Sequence, residues 1–304
     1  MDQPTPAIRL GTRSSRLALA QADLAARALT ALSGSPRVSL VEIRTKGDTL
    51  SARRPTGGWA TGDGQFTTEL ERALLAGQID VAVHSLKDLP TAPRDGLVLG
   101  AILERGDPRD CLITTHSGGL NGLPWGAHIA TSSVRRAAQL AAVRPDLVAI
   151  PIRGNVDTRL RRLREGAFDA LLIAAAAIDR LGVGMDGVRR LPLTIMLPAP
   201  GQAAIALQVR ADATQLRARI ASIDHAPTRL AVMAERALLR ALGGGCLSPL
   251  GALATARDGR IRLRAVFEHD EGLSRIDLTR SAGDVELLIA AARNLLTAPA
   301  LASA

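Results

Sequence analysis

Three times this chain runs from a short apolar stretch, through two or three polar or glycine residues, into an amphipathic helix. The stretch A-I-R-L-G (7–11) passes through Arg13-Ser14-Ser15 into a segment apolar at Leu17, Ala20, Leu24 and Ala28. The stretch I-A-T (129–131) passes through Ser132-Ser133 into V-R-R-A-A-Q-L-A-A, and V-A-I-P-I-R (148–153) passes through Gly154-Asn155 into a helix over 156–164. A short buried strand followed by a capped helix of 3.6-residue period is the repeating unit of an open α/β sheet. Further strands are expected over 38–45, from Asp80 into the segment 80–90, and over 97–103, 169–175 and 203–210, with a helix over 67–76. The first part of the chain therefore reads as an α/β domain with a mostly parallel sheet.

The charged segment E-R-G-D-P-R-D (104–110) breaks the pattern, which then starts again near Asp110, so two similar α/β domains are expected. The Pro-rich segment 192–202 reads as a crossover, after which the strand at 203–210 returns to the first domain. Beyond Pro227 come a helix over 228–242, the run Gly243-Gly244-Gly245, three strands near 250–256, 261–267 and 274–280, and a last helix over 284–296. That is a smaller α+β domain. The expected division is 1–103 with 203–222, then 108–198, then 226–304.

Composition narrows the function. Of 304 residues, 47% are hydrophobic, yet there is no Tyr, with two Trp and three Phe, so the cores must be built from Leu, Ile, Val and Ala. No apolar run approaches the roughly 20 residues that span a bilayer. The start M-D-Q-P-T-P has no signal-peptide pattern, and two cysteines are too few for a disulfide framework. A cytoplasmic protein with no membrane partner is expected. The formal charge of +9 is spread through ordered segments as pairs such as Arg135/Arg136, Arg161/Arg162 and Arg189/Arg190. Aromatics that would stack on bases are missing, which favours an anionic small molecule over nucleic acid.

The segment D-V-A-V-H-S-L-K-D-L-P (80–90) is where such chemistry concentrates. A β-branched strand ends in a cluster of His, Ser, Lys and Asp, and ligands of open α/β sheets bind at carboxyl ends of strands. Lysine occurs in this chain only at Lys46 and Lys87. A Lys beside Asp88, in a chain that otherwise uses Arg, suggests a need for a titratable ammonium or a slim point charge. Asp88 is the leading catalytic candidate, since a carboxylate among cations stays ionised and can stabilise a developing cation. The alternative is that it caps a turn before Pro90.

The three junctions, each with Arg close by, read as anion sites for several carboxylates or phosphates. Arg135, Arg136 and Arg159 are the cations in reach, or else they belong to solvated helix faces. Cys246, after three glycines, is either a presented nucleophile or attachment point, or a small buried residue past a helix stop. Cys111, at the head of C-L-I-T, reads as buried core. G-D-G (62–64) lies in a long polar segment, 46–65, but no phosphate-loop motif is present. The five histidines are scattered without metal-ligand spacing, so no metal is expected.

These segments together resemble the porphobilinogen deaminase (hydroxymethylbilane synthase) family. The likeness rests on G-T-R-S-S (11–15), the 80–90 segment, D-P-R-D (107–110), T-S-S-V-R-R-A-A-Q-L (131–140), R-G-N-V-D-T-R-L (153–160), L-P-A-P-G-Q (197–202) and A-E-R-A-L-L…G-G-G-C (234–246). It implies two domains like type II periplasmic binding proteins with the active site in the cleft between them, and a third domain carrying the cysteine. It also implies a monomer that joins four porphobilinogen molecules head to tail, releasing ammonia. The product is hydroxymethylbilane, grown on a dipyrromethane cofactor held by a thioether to Cys246. Asp88 would be the catalytic carboxylate, and Lys87 beside it a second catalytic residue. Arg13, Ser15, Ser85, Lys87, Thr131, Ser133, Arg135, Arg136, Arg153, Gly154 and Arg159 would hold cofactor and substrate carboxylates. Phe66 would stack near the rings, Gln202 matches the crossover glutamine, and the 46–65 segment would act as a lid. The chain departs from the pattern at Asp63 and Trp59, where basic residues are common, at Arg16 in place of a frequent Pro, and at Ala177 in place of a usual Gly. The rival reading is a two-domain binding protein without catalysis, which would have no need of a third domain bearing G-G-G-C.

Overall fold

The first helix starts where its cap dictates. The computed structural model describes residues 7–32, 36–45, 66–184, 186–245, 248–270 and 272–298, and in it Ser15 Oγ accepts the Ala18 N–H at 3.3 Å. In chain order the first elements are β1 (Ile8–Thr12), α1 (Arg16–Thr30), β2 (Val38–Glu42), α2 (Thr68–Leu75), β3 (Val81–Ser85) and β4 (Leu97–Ile102). The next are β5 (Asp110–Thr114), β6 (His128–Ala130), α3 (Val134–Val143), β7 (Val148–Ile150), α4 (Val156–Arg164), β8 (Ala170–Ala174), α5 (Ala175–Leu181) and β9 (Val188–Arg190). The remainder are β10 (Ile205–Arg210), α6 (Thr214–Ile220), α7 (Ala226–Ala241), β11 (Leu250–Arg257), β12 (Arg260–His269), β13 (Gly272–Ser281) and α8 (Val285–Thr297).

Two five-stranded sheets share one plan. The first has the order β2-β1-β3-β10-β4 and the second β7-β6-β8-β5-β9. In each, the first three strands are parallel and the fourth runs antiparallel to both its neighbours. In the first sheet four strands point the same way, as expected, and only β10, which joins after the second sheet is built, runs against them. The chain crosses between the sheets twice, near residues 103–109 and 191–204. Each sheet thus takes its antiparallel strand directly from a crossing. The third sheet, β11-β12-β13, is an antiparallel meander with α7 and α8 packed on it.

The cores follow from composition. Leu10, Leu29, Val83 and Leu207 fill the first, Ile113, Ile152, Leu171 and Ile173 lie in the second, and Leu238, Leu250, Leu263 and Leu288 fill the third. Each such side chain contributes about 1.5–3 kcal/mol on burial. Of the described aromatics only Phe168 is buried, and Trp125 is 86% exposed. Cys111 is core, as expected, and burial pushes its thiol up to about 11. The third sheet meets the second region closely at Gly251, where a Cβ would lie 2.9 Å from both Leu197 O and Gln139 Nε2, so a side chain there would force the two apart. Among the described residues no helix is long and apolar enough to cross a membrane.

Candidate active site

The carboxyl ends of β1, β3 and β8 face one cavity of about 530 Å³, with the first turns of α1 and α4 on its walls. Each wall is built by local capping. Ser15 caps α1, while Asn155 Oδ1 accepts the Thr158 N–H at 3.0 Å and starts α4 directly after Gly154, whose φ is +105°. Ser132 joins two of the junctions by donating to Ile152 O and accepting the Ile152 N–H at 3.0 Å. After β3 the chain makes one 3-10 turn, Leu86–Asp88, which ends before Pro90 and holds Lys87 and Asp88 at the cavity wall.

The cavity brings together Arg13, Ser15, Phe66, Ser85, Lys87, Asp88, Arg136, Gly154 and Arg159 from the expected set. Arg13 lies over the Phe66 ring, its guanidinium carbon 3.9 Å from the centroid. Thr131, Ser133, Arg135, Arg153 and Gln202 do not line it. Thr131 Oγ1 accepts the Ser133 N–H at 3.2 Å, and Ser133 caps α3. Arg135 is buried and spans Leu197 O at 2.5 Å and Asp110 Oδ2 at 2.8 Å, so its guanidinium braces the crossover. Neither Arg135 nor Arg136 lies on a solvated face; both are buried. Arg153 is half-buried at the end of the β7 junction. Cys246 and the 46–65 segment lie outside the described residues.

Gln202 acts one layer back. Its Nε2 donates to Pro108 O at 2.7 Å and Asp110 Oδ1 at 3.0 Å, while its Oε1 is 3.5 Å from Lys87 Nζ. Asp110 also receives Arg136 Nη2 at 2.6 Å. Burial by itself would raise the Asp110 carboxyl, but the Arg135 and Arg136 guanidiniums outweigh it and hold the group well below the usual carboxylate range. Lys87 is pushed down to about 8, because enclosure by the protein disfavours the ammonium more than Asp88 favours it, and Arg136 adds to the fall. Arg159, donating from Nε to Gly154 O at 2.9 Å, is pushed down to about 10 by burial and by Arg136.

Two residues that sequence reasoning passed over belong here. Gln21, a buried residue of α1, has its amide nitrogen 2.8 Å from Ser85 Oγ and its amide oxygen 3.0 Å from the same atom, and it lines the cavity. No local signal in the sequence pointed to it. Glu235 of α7 is fully buried and accepts from Arg105 Nη1 at 2.6 Å, Gly201 N at 2.7 Å and Ala254 N at 2.8 Å. It thereby ties both crossings to the third sheet. Its neighbour Arg236 donates to Leu89 O at 2.8 Å and Pro90 O at 2.7 Å, which clamps the turn bearing Asp88.

Comparison with known proteins decides the family. The sequence model described as "Porphobilinogen deaminase, dipyromethane cofactor binding domain" matches residues 8–218, and "Porphobilinogen deaminase, C-terminal domain" matches 229–296. The porphobilinogen deaminase of Desulforudis audaxviator is 52% identical over 266 residues, covering 86% of this chain and 84% of that protein. That of Acidothermus cellulolyticus is 45% identical over 307 residues, covering 96% and 92%. The chain belongs to the porphobilinogen deaminase family. Among solved structures it is similar to a probable amino-acid ABC transporter extracellular-binding protein, YtmK of Bacillus subtilis, at 10% identity with a TM-score of 0.43, covering 72% of this chain and 90% of that one.

As a porphobilinogen deaminase the chain is a transferase of tetrapyrrole biosynthesis that works with a dipyrromethane cofactor. The cavity fits such a group. Its described lining includes five cationic side chains, Arg13, Arg16, Lys87, Arg136 and Arg159, against two acids, Asp88 and Asp157. A dipyrromethane bears four carboxylates, and the surplus of guanidinium forks suits them.

Proposed function

We propose that the cavity is the site at which porphobilinogen units are joined, with Asp88 as the catalytic carboxylate. When bound, the dipyrromethane supplies the nucleophilic pyrrole carbon to which a new unit is attached. The rest falls to this chain. Arg13, Lys87, Arg136 and Arg159 neutralise the acetate and propionate groups and fix each ring in the cleft. Loss of ammonia from the substrate leaves an electron-poor methylene pyrrole, and Asp88 places a negative charge beside it in a cavity whose cations outnumber its acids. Asp88 also offers an acceptor for pyrrole N–H groups. Phe66, held against Arg13, gives the rings an apolar face. Thr131, Ser133, Arg135 and Gln202 would act by setting the junctions and the crossover, and Arg153 by supporting the turn at Gly154. Cys246 would carry the cofactor through a thioether.

The observation that carries this reading is the placement of Asp88 in a cavity whose cations outnumber its acids. Further parts of the proposal are a monomeric, cytoplasmic protein and domains at 1–103 with 203–222, 108–198 and 226–304. The test pairs two variants. Intact mass of the wild type should exceed the sequence mass by one dipyrromethane, and Cys246→Ser should remove the excess. Asp88→Ala should keep the adduct and the melting temperature but form bilane at least 100-fold more slowly, given the 10²–10⁴-fold typical of such groups. Near-normal turnover in Asp88→Ala takes Asp88 out of the chemistry.

A further inference from the structure

Arg16 is the first residue of α1 and follows the Ser15 cap directly. A cation there opposes the positive end of the helix dipole, and the first turn of α1 has no acidic residue to offset it. Arg16 therefore does nothing for its own helix. Its guanidinium reaches across the cleft, where Nη1 lies 2.6 Å from Asp157 Oδ1 in the first turn of α4. Both residues line the cavity. The pair is open to solvent, with 66% of the Arg16 side chain and 37% of the Asp157 side chain exposed. Exposed ion pairs are weak and exchange readily. This contrasts with the arginine pairs on Asp110, which are buried and locked.

Asp157 differs from Arg16 in one respect. A carboxylate in the first turn of α4 is favoured by that helix's dipole with or without its partner. Arg16 can thus trade one carboxylate for another while Asp157 stays stabilised. Resting on the reading that substrate carboxylates enter this cavity, we propose that Arg16 is a specificity-determining residue that takes a carboxylate of the incoming substrate at the cleft mouth, with Asp157 as the partner it gives up. The planar guanidinium presents the same fork to either acid, so the exchange leaves the charge pairing intact.

A plain strap across the cleft makes a different prediction. Breaking a strap from either end has the same effect. Under the exchange role the two ends have opposite effects, because Arg16→Ala removes the receptor and Asp157→Asn removes the competitor. With the cofactor-loaded enzyme, Arg16→Ala should raise the KM for porphobilinogen about fivefold with kcat within twofold, and Asp157→Asn should lower KM about twofold, sizes set by an exposed charge pair. The double variant should match Arg16→Ala. Intact mass checks that all carry equal cofactor. A second readout needs no turnover: calorimetric titration with a pyrrole bearing the acetate and propionate groups but no aminomethyl group should give Kd changes of the same signs. KM or Kd moving in the same direction in both single variants, or staying unchanged in Arg16→Ala, overturns the role of Arg16. A wild type that does not bind the dicarboxylate overturns the reading of the cavity, and the role of Arg16 with it.

Discussion

Raising the pH through the neutral-to-alkaline range should weaken substrate capture through Lys87. The ammonium is pushed down to about 8, chiefly by enclosure. A cation with a lowered pKa carries its charge below that value and loses it above. About nine-tenths of Lys87 is charged at pH 7 and about one-tenth at pH 9, so an interaction that needs the charge falls about tenfold across that interval. The quantity to follow is kcat/KM, which reports ionisations of the free enzyme. Measured at constant ionic strength, it should be level near pH 7, halved near pH 8 and about tenfold lower at pH 9. A bound carboxylate holds the proton in place, so kcat should move less than KM. Lys87→Arg keeps its charge throughout, and the fall near pH 8 should vanish even if the absolute rate is lower. What remains is a decline near pH 10, where Arg159 titrates. The sign of the stability effect separates this from unfolding. The unfolded chain, with Lys near 10.5, binds more protons than the folded one between about 8 and 10.5. The contribution of Lys87 to stability therefore rises over the window in which capture falls. An inflection near pH 8 that survives unchanged in Lys87→Arg refutes the assignment.

Two further predictions concern the scaffold behind the site. Glu235→Ala leaves the Arg105 guanidinium, only 10% exposed, without its carboxylate. The expected cost is about 3–5 kcal/mol, read by calorimetry or denaturant titration, and a loss below about 1 kcal/mol contradicts the inferred three-way tie. Gly201→Ala meets two obstacles, a φ of +73° and a Cβ 3.1 Å from Leu86 Cγ. About 1–2 kcal/mol of destabilisation is expected, and because Leu86 precedes Lys87, kcat/KM should fall as well. An unaltered melting temperature and kcat/KM would show that the crossover does not press on the turn bearing Lys87 and Asp88.

The elements read most accurately from sequence are those with a cap and a period. Helix α4 occupies 156–164 as expected because Asn155 caps it and Leu160 and Leu163 mark its buried side. Elements lacking one of these signals went unread. Strand β5 is buried at every position, so it shows no alternation that would mark it as a strand. Helices α5 and α6 begin after Ala174 and Ala213, which have no side chain to cap them, and α5 continues directly from the apolar run of β8. Strand β2 stops at Glu42, short of the expected 45, since its ladder with β1 ends at Thr12. The site shows the same division. A strand end and a cap can be read locally, so Ser15, Ser85, Lys87, Asp88 and Gly154 were expected in the cavity and line it. Arg135 and Arg136 are equivalent in sequence, but one residue is about 100° of helix rotation. That rotation sends Arg135 to the crossover carbonyl and Arg136 to the cavity.

What no local pattern conveys is how the third sheet bears on the reaction. Helix α7 reads as an ordinary amphipathic helix, yet two adjacent residues on it hold two different segments beside the cavity. Glu235 accepts the Gly201 N–H and so sets the backbone next to Gln202, whose side chain meets both Lys87 and Asp110. Arg236 holds the carbonyls of Leu89 and Pro90, at the end of the turn that bears Asp88. Two charged side chains on a helix otherwise packed by Leu and Ala are retained against the cost of burying them. Their partners, the Arg105 guanidinium and backbone groups of Gly201, Ala254, Leu89 and Pro90, lie on separate segments that must keep a fixed spacing, which apolar packing alone specifies poorly. The segment that leaves α7 runs through Gly243, Gly244 and Gly245 toward Cys246. The helix that clamps the turn bearing Asp88 is therefore the one followed in sequence by the glycine run that leads to Cys246. Displacing α7 by any route should disturb Lys87, Asp88 and the thiol-bearing segment together, and a variant such as Glu235→Ala should lose activity in step with its loss of stability.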